Sequence, residues 1–223
     1  MKENKQYVNT KDVTIYPFSC KEAKPLILNN HYSHAWTMCS FAYGIYNNGL
    51  LIGCAVYGTP VGRLAAASIC KEYKPKVLEL TRLWIADDYG CNIESYSLSQ
   101  TFTYLKKKGI EVLLAYSDPD VGHLGKIYQA TNWLYQGNAI QKVDSYWFTI
   151  FGKRLHERTV VSKYGSANME SLRKIDKNVT RKYMSKKHRY IYILTDKKTK
   201  RKILKDLKHP IIEYPKEIAN ESN

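Results

Sequence analysis

The stretch Val112–Gly137, VLLAYSDPDVGHLGKIYQATNWLYQG, decides how this 223-residue chain is built. Its apolar run Val112–Ala115 reads as a buried strand, and Tyr116-Ser117-Asp118-Pro119-Asp120 ends that strand in a polar turn. Gly125–Tyr135 follows as a helix with Ile127, Ala130 and Leu134 on one face. In open α/β sheets ligands bind, and acids and bases are placed, at strand ends of this kind. Asp118 stands at that edge and Tyr128 lies about two turns further on. The arrangement points to an enzyme.

The flanking sequence completes a mixed sheet. Glu22–Asn30 is a short helix with Ser19 as its N-cap. His31-Tyr32-Ser33-His34-Ala35-Trp36 is too polar and aromatic to be ordinary core. Ser40–Tyr46 and Leu51–Tyr57 form a hairpin, because Asn47-Asn48-Gly49 tolerates the positive φ of a tight turn. After a loop over Gly58–Ala67 that carries Arg63, the branched residues of Lys76–Ala86 make a strand. Ile93–Lys108 is a helix closed by Gly109 at C′, Ile110–Tyr116 the next strand and Asp144–Phe151 a further one. The order predicts an α/β fold: a mixed, mostly antiparallel central sheet flanked by helices.

Composition narrows the class. No apolar run approaches the ~18 residues needed to span a bilayer. The first ten residues, MKENKQYVNT, carry no secretory signal, so a cytoplasmic location is expected. Cys20, Cys39, Cys54, Cys70 and Cys91 are odd in number and widely spaced, the usage of a reduced protein with buried thiols. The net charge of +15 is uneven: residues 1–150 hold 15 Lys and Arg against 12 Asp and Glu, residues 151–223 hold 20 against 8. The basic third is interleaved with Tyr164, Tyr183, Tyr190, Tyr192 and Tyr214, which a disordered tail would lack. We expect a catalytic core over 1–152 and a folded basic extension over 153–223 packed on it. A basic surface of this kind meets a polyanion through phosphate neutralisation. Nucleic acid is the expected partner, with a membrane surface or an acidic protein as the competing readings; Lys186, Lys187, Arg189, Arg201 and Lys202 are the candidate phosphate contacts.

Two nested resemblances follow from the residues. The element order resembles the GNAT acetyltransferase fold, in which two central strands splay and an acyl-coenzyme A enters between them, its pyrophosphate at a helix N-terminus. That helix would begin near Asn92, where Asn92 and Ser95 could cap it and bind an oxyanion, but Asp87-Asp88-Tyr89-Gly90-Cys91 replaces the Gly-rich loop. The closer resemblance is to the Mom family of phage DNA-modification proteins. It rests on His31-Tyr32, Glu79-Leu80-Thr81-Arg82-Leu83-Trp84, Asn92-Ile93-Glu94-Ser95, Tyr116-Ser117-Asp118, Gly122–Trp133, Lys187-His188-Arg189-Tyr190 and Tyr214-Pro215-Lys216. The resemblance implies that adenine in DNA receives a carbamoylmethyl group on its amino nitrogen, which protects the DNA from restriction inside a bacterial host. It also implies a working site of His31, Tyr32, Asp118 and Tyr128, with iron involved; the GNAT resemblance implies acetyl-CoA or another activated donor as the source of the group.

The residues carry their own chemistry. Adenine's exocyclic amine is a weak nucleophile, so attack on an activated carbon needs a base for its proton and donors for the leaving charge. Asp118 is the candidate base, or a turn residue before Pro119. Tyr128 is the candidate proton donor, or a half-buried helix aromatic. On a helical turn His31 and His34 would face the same way, and with Asp118 they would make the two-imidazole, one-carboxylate set of non-haem iron sites. Hydrogen-bonded structural histidines are the competing reading, and His123 or His156 could equally serve. Glu79 and Arg82, three apart on one strand, are expected on opposite faces, with Arg82 able to hold a carboxylate or phosphate or to sit in a surface ion pair. Trp36, Tyr32 and Trp133 could stack on an extruded base or belong to the core. An acetyltransferase acting on a small amine or protein, and a DNA-binding protein without chemistry, remain the alternatives. The oligomeric state, a homodimer included, stays open.

Overall fold

The computed structural model describes residues 8–62, 64–90, 92–139 and 145–216. Arg63, Cys91, Asp144 and the first seven residues of the chain lie outside the described residues. The chain divides into two compact units.

The first unit comprises residues 1–117, 124–137 and 188–223. It opens with β1 (Val13–Phe18) and α1 (Cys20–Asn30). Ser19 caps α1 through a capping box: its hydroxyl accepts the Glu22 N–H at 3.1 Å, and the Glu22 carboxylate accepts the Ser19 N–H. The hairpin β2 (Phe41–Asn47) and β3 (Leu50–Gly58) turns at Asn48 and Gly49, with φ of 47° and 81°, the geometry of a type I′ turn. Then come β4 (Val77–Ile85), α2 (Ile93–Lys107) and β5 (Val112–Ser117). Gly109 ends the helix connection at φ 72°, as its C′ position requires. α3 (Lys126–Ala130) is one short turn and a half, and β6 (Leu134–Asn138) follows at once. The helix expected to reach Tyr135 stops early because Asn132 takes φ 58° and the chain re-enters the sheet.

The sheet has seven strands in the order β1-β2-β3-β4-β5-β10-β6, where β10 is His188–Ile193. Every described ladder is antiparallel except β4–β5. One face carries the larger core, with Leu78, Leu80, Leu98, Phe102, Leu113, Trp133 and Tyr190 buried around α2 and α3. The other face is covered by α1 over Cys54 and Val56, and by α6 (Lys197–Asp206) over Val112, Leu114 and Ile191. Each fully buried Leu, Ile or Phe contributes about 1.5–3 kcal/mol.

The second unit, residues 118–123 and 138–187, has its own sheet, β8 (Lys153–His156), β7 (Tyr146–Ile150) and β9 (Thr180–Tyr183) in that spatial order. Phe148, Ile150, Val160, Leu172 and Val179 pack its small core under α4 (Glu157–Tyr164) and α5 (Met169–Arg173). The expected boundary at 152/153 is therefore corrected. The basic third is no appendage: β10 pairs with β5 inside the main sheet, from His188↔Ser117 to Ile193↔Val112, because its apolar alternation needs two buried faces.

A second departure concerns the cysteines. Cys20 and Cys39 form a disulfide with a Cα–Cα separation of 6.0 Å, and Cys54 and Cys70 are buried free thiols among the described residues. No helix among the described residues is long and apolar enough to cross a membrane.

Candidate functional site

The site is set by where β4 and β5 stop pairing. Their parallel ladder has three rungs, Val77↔Val112, Leu78↔Leu113 and Glu79↔Leu114. Beyond it β4 runs on to Ile85 and β5 to Ser117, leaving backbone and side chains of both strands at a gap in the sheet. Glu79 is at the last rung, 8 % exposed, and its Oε2 accepts the Val61 N–H at 2.9 Å.

A β-bulge then decides what stands beside Glu79. Register with β3 runs Cys54↔Trp84, Ala55↔Leu83, Val56↔Arg82, then Tyr57↔Leu80, so Thr81 is an extra residue on β4. Its hydroxyl donates to the Val56 carbonyl at 3.1 Å. The bulge reverses the alternation: Leu78, Leu80, Leu83 and Ile85 all pack on the larger core, and Glu79 and Arg82 share the other face. The expectation of opposite faces is thus overturned.

Arg82 is half-buried, and it ties the segment after α1 to the sheet. Its Nε donates to the Ala35 carbonyl at 3.0 Å and its Nη1 to the Thr81 carbonyl at 2.6 Å. Burial lowers its pKa, while the neighbouring Tyr32 and Glu79 charges raise it. Tyr128, on α3, packs against Trp133 and Tyr190 with ring centroids 5.2 and 5.1 Å away. Burial pushes its phenol well above the usual value, and the charges of Tyr32, Glu79 and Tyr190 push it further. Tyr116, on β5, is raised by burial, lowered by Arg189 and raised by Glu79. These phenols stay protonated at neutral pH and can donate.

His31 caps the C-terminus of α1 in an extended conformation, and His34 takes φ 43°, so the two are not on one helical turn. The His31 ring is buried and lies 4.3 Å, centroid to centroid, from Tyr32. Its Nδ1 accepts the Ser33 N–H at 3.1 Å, which places the proton of the neutral ring on Nε2. The His34 Nδ1 is 3.0 Å from the Leu28 carbonyl. Among the described residues no group of three or more His, Cys, Asp or Glu could hold a metal ion, so the set His31, His34 and Asp118 is not assembled.

Asp118 lies in the second unit, directly after β5 in the chain. It is 6 % exposed, caps the turn Pro119–Val121 by accepting the Asp120 N–H at 3.0 Å, and has Lys187 Nζ at 3.5 Å from Oδ2. The turn reading of this residue is realised, with an ion pair added. Asp120 beside it accepts the Ser185 N–H and hydroxyl.

Other expected residues are redistributed. Asn92 does not cap α2 with its side chain, and the Ser95 hydroxyl donates to the Asn92 carbonyl at 3.1 Å, so neither donor is presented to an oxyanion there. Arg189 is corrected most clearly. It is 6 % exposed, points to the face that carries Val112 and Leu114, and donates to Gln136 Oε1 at 3.0 Å and Ser68 Oγ at 2.8 Å; it is no surface phosphate contact. Lys186, Arg201 and Lys202 are exposed, Lys187 is half-buried, and Lys202 lies over the Tyr73 ring at 4.4 Å. Trp133 is fully buried core, whereas Trp36 is half-buried and lines a surface groove with Lys21, Lys24, Met38 and Val61.

Glu79 and Tyr116 are the residues whose place in this cluster the sequence reading missed. A signal existed: the apolar positions 78, 80, 83 and 85 skip one step, which marks the bulge.

Comparison with known proteins adds four similarities. A family model described as the Mom protein family matches residues 12–216. The chain is 26% identical over 212 residues to the methylcarbamoylase Mom of Escherichia phage Mu, covering 93% of this chain and 85% of that protein. Among solved structures it is similar to the ribosomal-protein-S5-alanine acetyltransferase of Vibrio fischeri (10% identity, 83% and 94% of the two chains, TM-score 0.48). A putative acetyltransferase from Salmonella typhimurium with its cofactor acetyl-CoA is similar to the same extent (10% identity, 83% and 95%, TM-score 0.47).

Proposed function

The chain belongs to the Mom protein family, and from that membership we propose that it is a transferase acting on double-stranded DNA. It replaces one hydrogen of the adenine amino group by a carbamoylmethyl group, in the cytoplasm of a bacterial host, and so shields that DNA from restriction. The observation that carries the reading is the convergence of Glu79 and Arg82 on one face of β4 at the end of the β4–β5 ladder, with Tyr32 and Glu79 acting both on Arg82 and on the Tyr128 phenol.

The chemistry follows from these groups. A bond forms between the amino nitrogen and the methylene carbon of an activated donor, and the bond from that carbon to its leaving group breaks. Glu79 takes the proton that the amine loses. Tyr128, protonated because burial disfavours its phenolate, gives a proton to the leaving group. Arg82 holds the segment around Ala35 against β4 and faces the charge that develops on the donor. Asp118 is a second carboxylate proposed from the family resemblance alone.

Two expected cofactors do not fit the residues present. A pyrophosphate at the α2 N-terminus would meet Asp87 and Asp88 and an Asn92 whose Oδ1 is buried without a partner, while the Ser95 hydroxyl is already engaged. The described residues offer no ligand trio for iron.

Mass spectrometry of nucleosides from DNA of cells expressing the protein tests the reading. A deoxyadenosine species heavier by about 57 mass units, absent with Glu79→Gln and with Tyr128→Phe, is the expected result. Unmodified DNA with the wild-type protein would refute the assignment. Full modification with Glu79→Gln would move the proton to Asp118, which Asp118→Asn then tests.

A further inference from the structure

We propose that Met38 and Val61 form an apolar wedge that enters the base stack of duplex DNA and holds the target adenine out of it. The inference rests on the proposed action on adenine in DNA and deepens it, because a paired adenine has its amine engaged within the stack and must be extruded before it can react. Met38 is 63% exposed and Val61 52% exposed. Single exposed apolar residues are ordinary on protein surfaces. These two are different because they converge: both line one groove of about 700 Å³ together with Trp36 and Thr37.

Both loops are held at fixed points close to the sheet. Gly58, the last residue of β3, approaches the Met38 backbone so closely that a Cβ there would lie 2.1 Å from the Met38 carbonyl oxygen. The Ser40 N–H donates to the Tyr57 carbonyl at 2.7 Å just beyond. The Val61 N–H donates to Glu79, the carboxylate at the gap between β4 and β5. An apolar side chain carried on an anchored backbone next to the reacting carboxylate is what a wedge requires, since a mobile one would lose its own entropy on insertion.

The groove also identifies its occupant by charge. Lys21 and Lys24 line its other side from the first turns of α1, three residues apart and so on one helical face. Two cations beside an apolar wall match a strand whose phosphates run past unstacked bases, and the chain as a whole carries +15. A second protein copy would bring the same positive charge to this rim. Trp36, half-buried at the groove wall, offers a ring for the neighbouring base.

The test uses duplexes in which 2-aminopurine replaces single adenines in several sequence contexts, so that unstacking is read as a rise in fluorescence without any donor present. Anisotropy of the same duplexes reads binding. Wild type should bind and raise the emission several-fold in at least one context. Met38→Ser/Val61→Ser should bind nearly as well, since Lys21 and Lys24 are kept, yet lose most of the rise. Placing an abasic site opposite the 2-aminopurine should restore the signal to the double variant, because the cost of unpairing is then gone. Circular dichroism of the double variant, whose changes lie on exposed side chains, checks that it is folded. Wild-type binding without any rise, an unchanged rise in the double variant, or a loss that the abasic duplex fails to rescue would each overturn the wedge while leaving action on DNA standing. Absence of any binding by wild type would remove the wedge and the action on DNA together.

Discussion

Replacing Gly58 by alanine should damage the fold and the site together. The new Cβ would sit 2.1 Å from the Met38 carbonyl oxygen and 2.7 Å from its carbonyl carbon, whereas real Cβ contacts essentially never fall below 3.0 Å. One of the two backbones must therefore move by about 1 Å, and overpacking of this kind costs about 1–3 kcal/mol. The lower entropy of the unfolded alanine chain returns about 0.4–1 kcal/mol. A net loss of about 1–2 kcal/mol should lower the thermal midpoint by about 2–8 °C in a chain of this length. Gly62→Ala is the control, since its Cβ would meet the Ala65 methyl at 3.3 Å and can be accommodated. Thermal unfolding followed by circular dichroism measures both. A Gly58→Ala protein as stable as wild type, or one no less stable than Gly62→Ala, would refute the packing argument. The displaced Met38 should also weaken the 2-aminopurine signal.

Three further outcomes are expected. Reduction of the Cys20–Cys39 disulfide, which closes a loop of sequence separation 19, should cost about 3 kcal/mol and lower the midpoint by about 6–12 °C; peptide mass spectrometry without reductant should find the two cysteines linked. Arg189→Ala should destabilise the protein by about 2–4 kcal/mol, by opening a cavity and orphaning the Gln136 amide, and leave the salt dependence of DNA binding unchanged. Lys186→Ala should do the reverse, so a shallower salt slope with Arg189→Ala would return that residue to the phosphate contacts. Burial holds His156 and His188 below the usual histidine value of 6.5. Their depressed folded values mean that the unfolded chain takes up protons first, so stability is full above about pH 6.5 and declines as the pH falls below it. Midpoints measured from about pH 8 to about pH 5 should fall, less steeply with His188→Gln; a flat profile would contradict the burial of these rings.

Much of the architecture was legible because it is local. The capping box at Ser19 and Glu22, the Asn48-Gly49 turn and the apolar run of β5 are decided by residues within a few positions of one another, and the structure places them as expected. Family membership was legible for the same reason, as short motifs in a fixed order along residues 12–216. The misreadings came where distant segments compete. α3 stopped short because Leu134–Asn138 joined the sheet, and Arg189 was buried because β10 needed a place beside β5.

What the sequence determined by itself is the set of elements, the chemistry-bearing residue types and the basic balance, all of which depend on local propensity or on simple addition of charge. Only the tertiary structure decided which of those residues meet. One extra residue at Thr81 turns Glu79 and Arg82 to the same face, and the short β4–β5 ladder opens the gap beside them. The reason is geometric. Strand alternation has a period of two, so a single inserted residue inverts every later side chain, and its partner across the sheet lies far away in the sequence.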